Sequence, residues 1–458
     1  MNQEISPLKA RRKARITSGP ITTTIISLAL PVVLGMFMEF ALSSTDYFWV
    51  GKLGAIAQDA VTTTMVLIWS MFSVISIISI GVTALVSRHI GADNPDRAAF
   101  YTRQGLAMAG AIGALLTVIG YAVAPGILTF MGTGPETLPL AVSYMRISFG
   151  FAIFFFLMET AYAVFRAAGD TRTPTIIGII TVIFNMALDP LLIFGWGPVP
   201  GMGVSGAALA TGISVVLATT LVLTKLLRGD AGFAISNILR YRPDIPESLK
   251  IARIGLPIAS QQFAFVAVYW FLIKIVHEFG HTAAAAMGIG NRMESFSYLV
   301  CMGFSVAAST MVGQNLGANK PDRAAKCAWG STGIAIGVTF IVSILFLTIP
   351  RQIASVFTDN PVVLEIAVDY LIILGISQSA MAVEIVLEGA FGGAGDTIPP
   401  MIVMIPGSLA RIPLAYLLAF TLDWGINGVW WTLTITSIAK AVVLAWWFYR
   451  GRWKLKEV

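Results

Sequence analysis

Charged residues are scarce in this sequence of 458 residues, where Asp, Glu, Lys and Arg together make up 12%. A soluble domain carries about 25%. Because the chain is also 56% apolar, with a mean hydropathy of +0.80, we expect a membrane protein with many spans. There are only two cysteines, Cys301 and Cys327, and they indicate neither a disulfide framework nor a metal site. The sequence has no G-x-x-x-x-G-K-[ST] phosphate loop, so ATP-driven transport by this chain alone is not expected.

Histidine is equally scarce, with three in the chain. Two of them, with Glu278, form the H-E-x-x-H pattern of zinc proteases over His277–His281. That pattern requires a helix, but Gly280 interrupts it and the segment falls in an expected turn. The third, His89, is predicted on the opposite side of the membrane. An intramembrane zinc protease is therefore a less favoured alternative, and we predict that the protein is not an enzyme.

About twelve apolar runs are long enough to cross a bilayer, which takes about 20 residues. Their approximate limits are 22–50, 58–87, 100–125, 138–165, 175–196, 204–227, 250–277, 283–312, 326–349, 362–391, 399–421 and 427–449.

Lysine and arginine cluster at the ends of the even-numbered runs, whereas the other side has little beyond Lys52 and Arg351. By the positive-inside rule, both termini are predicted to be cytoplasmic in a multi-pass protein of the plasma (inner) membrane. The basic stretch Lys9–Arg15 has no small-residue cleavage site after it, so we interpret it as an anchor flank and not a signal peptide. The net charge of +6 mostly sets this topology, and no nucleic-acid partner is expected.

The two halves of the chain repeat at an offset of 226 residues. The matched pairs are Gly91–Ala99 with Gly317–Ala325, Ala168–Thr171 with Ala394–Thr397, and Leu30–Pro31 with Leu256–Pro257. Since each half has an even number of spans, both halves enter the membrane from the same side. The sequence predicts an all-α integral membrane protein with twelve transmembrane helices. They form two parallel six-helix repeats related by a pseudo-two-fold axis along the membrane normal, as in secondary transporters. The predicted domains are an N-lobe (1–228), a cytoplasmic linker (229–248) and a C-lobe (249–458).

An acidic motif lies inside the fifth run, where Asn185 and Asp189 are one helical turn apart and Pro190 follows. Residues i and i+4 share a helix face, and a proline is expected to kink the helix and free a carbonyl oxygen. Asp46, in the first run, either lies at the outer interface beside an aromatic belt or joins this pair. The repeat favours the second interpretation, because the second half did not keep these carboxylates. Thr211 could add a hydroxyl.

Two carboxylates, an amide and a hydroxyl suit a hard cation such as Na⁺. Two close carboxylates could equally carry a proton between them. The residues alone leave both coupling ions open, and Na⁺ is the only metal that we expect at Asp46, Asn185, Asp189 and Thr211.

A second acidic pair, Glu384 and Glu388, lies on the tenth run and is also specific to one half. It either pairs with a buried cation, Arg411 or Lys274, or lines a cavity and attracts cationic substrates. Further candidates for lining a substrate cavity are Glu39, Tyr144 and Gln262.

These features together resemble the multidrug and toxic compound extrusion (MATE) transporters, in their prokaryotic DinF-like and archaeal-type branch. The resemblance is carried by the segment from Pro31 through Asp46–Gly54, the paired Gly-Ala-x-x-Pro-Asp-Arg-Ala loops, Phe165–Thr171 with its second-half echo, and Asn185-x-x-x-Asp189-Pro190. It implies an antiporter with 6+6 helices and a first-lobe cation site that maps onto Asp46, Asn185, Asp189 and Thr211. Other branches place a glutamate on the seventh helix, where this chain has Gln261, Gln262 and Phe263.

We therefore expect a multidrug efflux antiporter that exports cationic or amphiphilic compounds in exchange for H⁺ or Na⁺ by rocking of the two lobes. Its expected partners are small-molecule drugs and membrane lipid, its expected state is a monomer, and no cofactor is expected beyond the coupling ion. A flippase or metabolite exporter on the same scaffold is the nearest alternative.

Overall fold

The computed structural model describes residues 14–235 and 241–457, and nearly all of them are helical. Of the basic flank Lys9–Arg15, only Ala14 and Arg15 fall within the described residues. Ten of the described helices are long and apolar enough to cross a membrane, and two bent helix pairs each supply one more span. The prediction of an all-α membrane protein with twelve spans is confirmed.

Among the described residues, seven helices and a short hairpin follow residue 20 in the first half of the chain, and nine helices lie in the second half. In the first half they are α1 (Ile21–Gly51), α2 (Ala55–Gly91), α3 (Pro95–Phe130), α4 (Leu138–Gly150), α5 (Ala152–Ala167), α6 (Arg172–Phe194), β1 (Gly195–Trp196), β2 (Val199–Pro200) and α7 (Val204–Leu227). In the second half they are α8 (Ile245–His277), α9 (His281–Gly317), α10 (Pro321–Thr348), α11 (Pro350–Ser355), α12 (Pro361–Gly375), α13 (Gln378–Ala394), α14 (Ile398–Leu409), α15 (Arg411–Tyr416) and α16 (Ile426–Tyr449). A π-helical turn, Leu417–Thr421, follows α15, and a 3₁₀ turn, Arg452–Leu455, follows α16.

The fourth and tenth spans are both broken at the same point of the repeat. The axes of α4 and α5 differ by 47°, with Phe151 at the break, and those of α12 and α13 differ by 54°, with Ser377 at the break. These two residues are 226 positions apart. The duplication seen in the sequence therefore extends to the bends of the helices.

The repeated loops also share an unusual backbone conformation. Asp93 and Asn319, again 226 positions apart, both have φ of +56°. Positive φ is rare outside glycine, and Asp and Asn are among the side chains that tolerate it. Gly169 and Gly395 likewise have φ of +77° and +75°. The loops between the second and third spans, and those between the fourth and fifth spans, thus turn in the same way in both halves.

By its contacts, the chain divides into two compact units. The first unit contains Pro31–Gly255, and the second contains Arg15–Leu30 together with the chain from Leu256 onward. These bounds differ from the predicted lobes, because residues 15–30 belong with the second unit and the beginning of α8 belongs with the first. The predicted linker 229–248 also overlaps α8, which begins at Ile245.

Within the first unit, Gln104 of α3 holds the segment that leads into α8. Its side-chain oxygen accepts a hydrogen bond from the Tyr241 hydroxyl at 2.5 Å and from the Asp244 backbone N–H at 3.2 Å. Its nitrogen donates to the Asp244 carbonyl and to the Ser248 hydroxyl. Burial raises the pKa of Tyr241, so this phenol stays protonated and remains a donor at neutral pH.

Within the second unit, the segment before α1 is held in a comparable way. The carbonyl of Ile16 accepts hydrogen bonds from Asn315 at 3.3 Å and from both Nε and Nη2 of Arg323, at 3.3 and 3.2 Å. The Ile16 side chain is fully buried in an apolar cluster that includes Met311 and Phe391. Arg323 belongs to the duplicated Gly-Ala-x-x-Pro-Asp-Arg-Ala loop, so part of that motif serves to anchor this segment.

Candidate cation-binding site

Four helices of the first unit bring the predicted site residues together. Asp46 comes from α1, Asn185 and Asp189 from α6, Thr211 from α7 and Tyr144 from α4. The side chains of Asn185 and Asp189 are completely buried. Helix α6 continues through Pro190 to Phe194, so the i, i+4 spacing of the amide and the carboxylate is helical as the sequence predicted.

The Asn185 amide connects the two carboxylates. With its nitrogen turned toward them, it donates to Asp46 Oδ1 and to Asp189 Oδ2, both at 3.2 Å. Its oxygen then accepts from the backbone N–H of Thr211 at 3.1 Å. In the opposite orientation the nitrogen lies 3.4 Å from Thr211 Oγ1, and the amide oxygen faces the carboxylates. The orientation of an amide is decided by its hydrogen-bond partners, so this side chain can present either a donor or an acceptor to the pair.

One oxygen of the site lacks a donor. Asp189 Oδ1 is buried and receives no hydrogen bond from the residues that the structure describes. The carboxyl groups of Asp46 and Asp189 are within hydrogen-bonding reach of each other. A buried acceptor without a donor is costly, and two adjacent carboxylates, here the buried Asp189 and the half-buried Asp46, repel each other. A cation or a proton bound here would remove both penalties.

The oxygen atoms available at this point match the preference of a hard cation. The carboxylates of Asp46 and Asp189, the Asn185 amide oxygen and the Thr211 hydroxyl could each contribute to an all-oxygen shell. The Thr211 hydroxyl donates to the Ala207 carbonyl at 3.1 Å, which leaves its lone pairs free to accept or to ligate. Tyr144 is buried close to both carboxylates, where its ring adds to the apolar wall of the site.

A glycine allows α7 to approach α6 closely beside the site. A Cβ added at Gly206 would lie 2.2 Å from the Leu192 carbonyl oxygen, which is impossible without movement of one helix. Leu192 is one turn after Asp189, and Gly206 is about one turn before Thr211. The absence of a side chain at Gly206 therefore sets the separation between the amide–carboxylate pair and the threonine.

The remaining predicted residues lie apart from this cluster. Glu39 is exposed on α1, close to an ion pair between Glu159 and Arg166 in which the charged atoms are 3.5 Å apart. Gln262 is half-buried on α8, and its neighbour Gln261 is the residue that bonds to Glu388. The motif over His277–His281 is split between the end of α8 and the beginning of α9 by a turn, so its histidines do not share a helix.

Glu384 is paired with a residue that the sequence analysis did not single out. Its Oε2 lies 2.7 Å from Nζ of Lys440 on α16, both side chains are at most 8% exposed, and the Ser437 hydroxyl donates to Oε1. Glu384 forms no ion pair with either cation considered from the sequence, Arg411 or Lys274, in the part of the chain that the structure describes. A lysine in the middle of the twelfth apolar run was the available signal, because such a charge needs a partner.

Comparison with known proteins decides the family. The MatE family profile matches residues 31–191 and 257–417, which together make up well over half of the chain. The chain belongs to the MATE family. The two matched segments are 226 residues apart, the offset of the sequence repeat. The protein is thus a multi-pass membrane transporter and not an enzyme, and the zinc-protease alternative is excluded.

Relatives of this MATE protein are similar along nearly their whole length. A probable multidrug resistance protein NorM from Thermotoga maritima is 27% identical over 96% of this chain and 94% of its own. An FAD transporter from Shewanella oneidensis is 28% identical over 93% and 94%. The two relatives are therefore named for different small molecules: drugs for the first and FAD for the second.

Solved structures show the same fold. An outward-facing multidrug resistance transporter of the MATE family aligns with a TM-score of 0.90 over 99% of this chain and 100% of its own, at 21% identity. A MOP superfamily transporter from Pyrococcus furiosus, described as having a binding pocket of reversed polarity, aligns with the same score and coverage at 20% identity. The two-lobe fold of twelve helices is thereby confirmed.

Proposed function

We propose that this protein is a multidrug efflux antiporter that exports amphiphilic, including cationic, organic compounds in exchange for Na⁺ or H⁺. The names of its NorM relatives support the drug-efflux part of this proposal. The adjacent carboxylates of Asp46 and Asp189 in the first unit support the coupling part, because intramembrane acidic groups mark ion pathways.

The observation that carries the proposal is the cluster of Asp46, Asn185 and Asp189, with its buried and unpartnered Asp189 Oδ1. Coupling requires that the ion and the drug favour different conformations of the protein. Cation binding at the two aspartates would stabilise one conformation by drawing α1 toward α6. Drug binding would favour the other, so that entry of the ion drives release of the drug outward. Bends of α1 near Pro31 and of α6 at Pro190 are the movable elements that we propose for this alternating access.

The orientation of the protein in the membrane is part of the same proposal. The distribution of Lys and Arg supports a cytoplasmic position of both termini in a plasma-membrane protein. We further propose that the protein works as a monomer surrounded by lipid, since each lobe carries its own complete set of six spans.

The direct test is efflux of ethidium from cells that carry Asp46→Asn. This substitution keeps the size of the side chain but removes the charge that the cation needs, so we expect loss of efflux with unchanged membrane expression. Asp230→Asn is the matched control, because Asp230 forms only a half-exposed ion pair with Lys225 at 3.7 Å. Unaltered ethidium efflux by the Asp46 variant would rule out the site.

Export of a metabolite is the second candidate function. It is favoured by the FAD transporter of Shewanella oneidensis, which is as similar to this chain as the NorM relatives are. Vesicles loaded with FAD or with ethidium separate the two: FAD release without ethidium release would replace the drug-efflux proposal. The flippase alternative would be supported by a long, strongly basic cavity, whereas the first unit gathers acidic groups.

A further inference from the structure

One face of α8 carries three side chains that could contact a ligand. Gln261, Phe265 and Tyr269 are spaced four residues apart and therefore lie one above the other on the helix. The rings of Phe265 and Tyr269 are stacked with their centroids 6.0 Å apart, yet 47% of the Phe265 side chain stays exposed. The Gln261 side chain bonds to Glu388, but its Oε1 is buried and has no donor within the described ranges.

Arg411 faces the same aromatic side chain from α15. Its guanidinium carbon lies 6.0 Å from the centroid of the Phe265 ring, and the residue is only 8% exposed. Nε donates to the Thr436 hydroxyl at 3.0 Å. The structure shows no hydrogen bond from the terminal nitrogens to any described residue, and no described carboxylate forms an ion pair with this arginine. The Arg411 guanidinium is therefore held in the middle of a membrane span, and its two terminal nitrogens form no hydrogen bond to any described residue.

The nearby carboxylates of the described residues do not form ion pairs with this guanidinium. Glu384 is occupied by Lys440 and Ser437. Glu384 and Glu294 both act on Arg411 through their charges, but neither carboxylate forms an ion pair with the guanidinium among the described residues. A charge at membrane depth is expensive, and one that has no direct ion pair with a described residue indicates a function.

The sequence repeat allows Arg411 to be compared with the corresponding residue of the first unit. Arg411 is 226 positions after Asn185, so the second unit has a fixed cation at the place where the first unit has the amide of its candidate cation site. An exchangeable cation has no role where a guanidinium is permanently present. The two units are therefore equipped for ligands of opposite charge.

We propose that Arg411 and the Gln261–Phe265–Tyr269 face of α8 form a substrate subsite for aromatic organic acids. The carboxylate or phosphate of the solute accepts two parallel hydrogen bonds from the guanidinium, a geometry in which arginine is stronger than lysine. The aromatic ring of the solute packs against the exposed Phe265. An N–H or O–H group of the solute donates to Gln261 Oε1 and removes the cost of that buried acceptor. This inference rests on the proposed transport function and adds aromatic acids to the amphiphilic compounds that the protein is proposed to export.

Binding of matched aromatic probes to the purified protein in lipid nanodiscs tests the subsite. The probes are 2-naphthoate, 2-naphthyl phosphate, neutral 2-naphthamide and 2-naphthylmethylammonium, measured by calorimetry without any ion gradient. We expect at least one of the two acids to bind at least tenfold more tightly than the amide. Equal affinity of the acids and the amide, or tighter binding of the ammonium compound, would overturn the proposal. The two acids separate a preference for carboxylate from one for phosphate.

Three substitutions test whether Arg411 and Glu294 determine the affinity for the acid probes. Arg411→Gln should reduce the affinity for the preferred acid at least tenfold, and Arg411→Lys should restore only part of it because lysine lacks the fork. Glu294→Gln should increase the affinity, since it removes a competing negative charge near the guanidinium. The control is Arg351→Gln, whose arginine pairs with Glu365 on an exposed surface at 2.5 Å. Unchanged affinity in the Arg411 variants, or reduced affinity in the Glu294 variant, would contradict the subsite.

The test of the subsite can be separated from the test of ion coupling. Asp230→Asn should leave the affinity for the preferred acid within about twofold, because Asp230 forms a half-exposed ion pair with Lys225 at 3.7 Å and belongs to neither proposed site. If the acids bind as expected but Asp46→Asn still transports, the subsite stands and the coupling proposal fails. If the Asp46 variant loses transport but the acids bind no better than the amide, the coupling proposal stands and the subsite fails.

Discussion

At the scale of single residues, the two halves of this protein have diverged in the charges that they bury. The first unit contains Asp46 and Asp189 around the Asn185 amide, whereas the second contains the ion pair of Glu384 with Lys440. The same scaffold supports both sets, so neither is needed for the fold itself. Buried polar groups that the scaffold does not need are the natural candidates for ion and substrate recognition.

Thr211→Val should weaken cation binding several-fold without unfolding the protein. The substitution keeps the shape of the side chain but removes one oxygen from the shell around Asp46 and Asp189. The measure is the concentration of Na⁺, or the pH, at which ion-driven efflux reaches half its maximum. Thr220→Val is the control, because Thr220 is on the same helix and its exposed hydroxyl bonds only to the Val216 carbonyl at 2.8 Å. If both variants respond to the ion like the wild type, Thr211 is not a ligand.

The Glu384–Lys440 pair predicts a non-additive effect on stability. Lys440→Met or Glu384→Gln alone leaves a buried group without its partner and should destabilise the protein by about 3–5 kcal/mol. The double variant should recover much of this loss, since neither charge then remains buried. Thermal unfolding in detergent of the single and double variants measures the coupling. Additive losses would show that the two residues act independently.

The sequence predicted the Asn185–Asp189 pair because both residues lie on one helix, where spacing alone determines the face that they share. Asp46 and Thr211 were added by the repeat and by family resemblance, and the structure brings both next to that pair. The partner of Glu384 could not be predicted in this way. Lys440 is 56 positions away, and a choice between Lys440, Arg411 and Lys274 depends on which helices pack together.

At the scale of helices, close packing determines the geometry of the cation site. α6 and α7 approach each other where Gly206 meets the Leu192 carbonyl, and the hairpin of β1 and β2 joins their ends. The lengths and the number of spans followed from hydropathy. The breaks at Phe151 and Ser377 did not, because no proline marks either of them.

Gly206→Ala should disrupt the site from a distance. The added methyl group would meet the backbone of α6, so the helices must separate, at a cost of about 1–3 kcal/mol. We expect weaker ion dependence of efflux as well as a lower melting temperature, because Thr211 moves away from Asn185. Gly178→Ala is the control on α6, since a Cβ there meets nothing within 4 Å. Wild-type ion dependence in the Gly206 variant would show that the helix separation is not critical.

At the scale of the whole molecule, duplication determined the architecture. Motifs, helix breaks and positive-φ residues recur at an offset of 226, and the family profile matches the two halves at the same offset. The sequence was sufficient for the number of spans and the two-fold repeat. It did not show that residues 15–30 pack with the second unit, because this depends on contacts such as those from Arg323 and Asn315 to Ile16.

The central claim is that the aspartates of the first unit couple an inward flow of cations to outward transport. It is tested most directly in proteoliposomes, by release of an exported fluorescent solute after a Na⁺ gradient or a pH gradient is imposed separately. We predict that at least one of the two gradients accelerates release by the wild-type protein. The acceleration should be lost in Asp46→Asn and in Asp189→Asn, and kept in Asp230→Asn. Gradient-driven release that persists in both site variants would contradict the account.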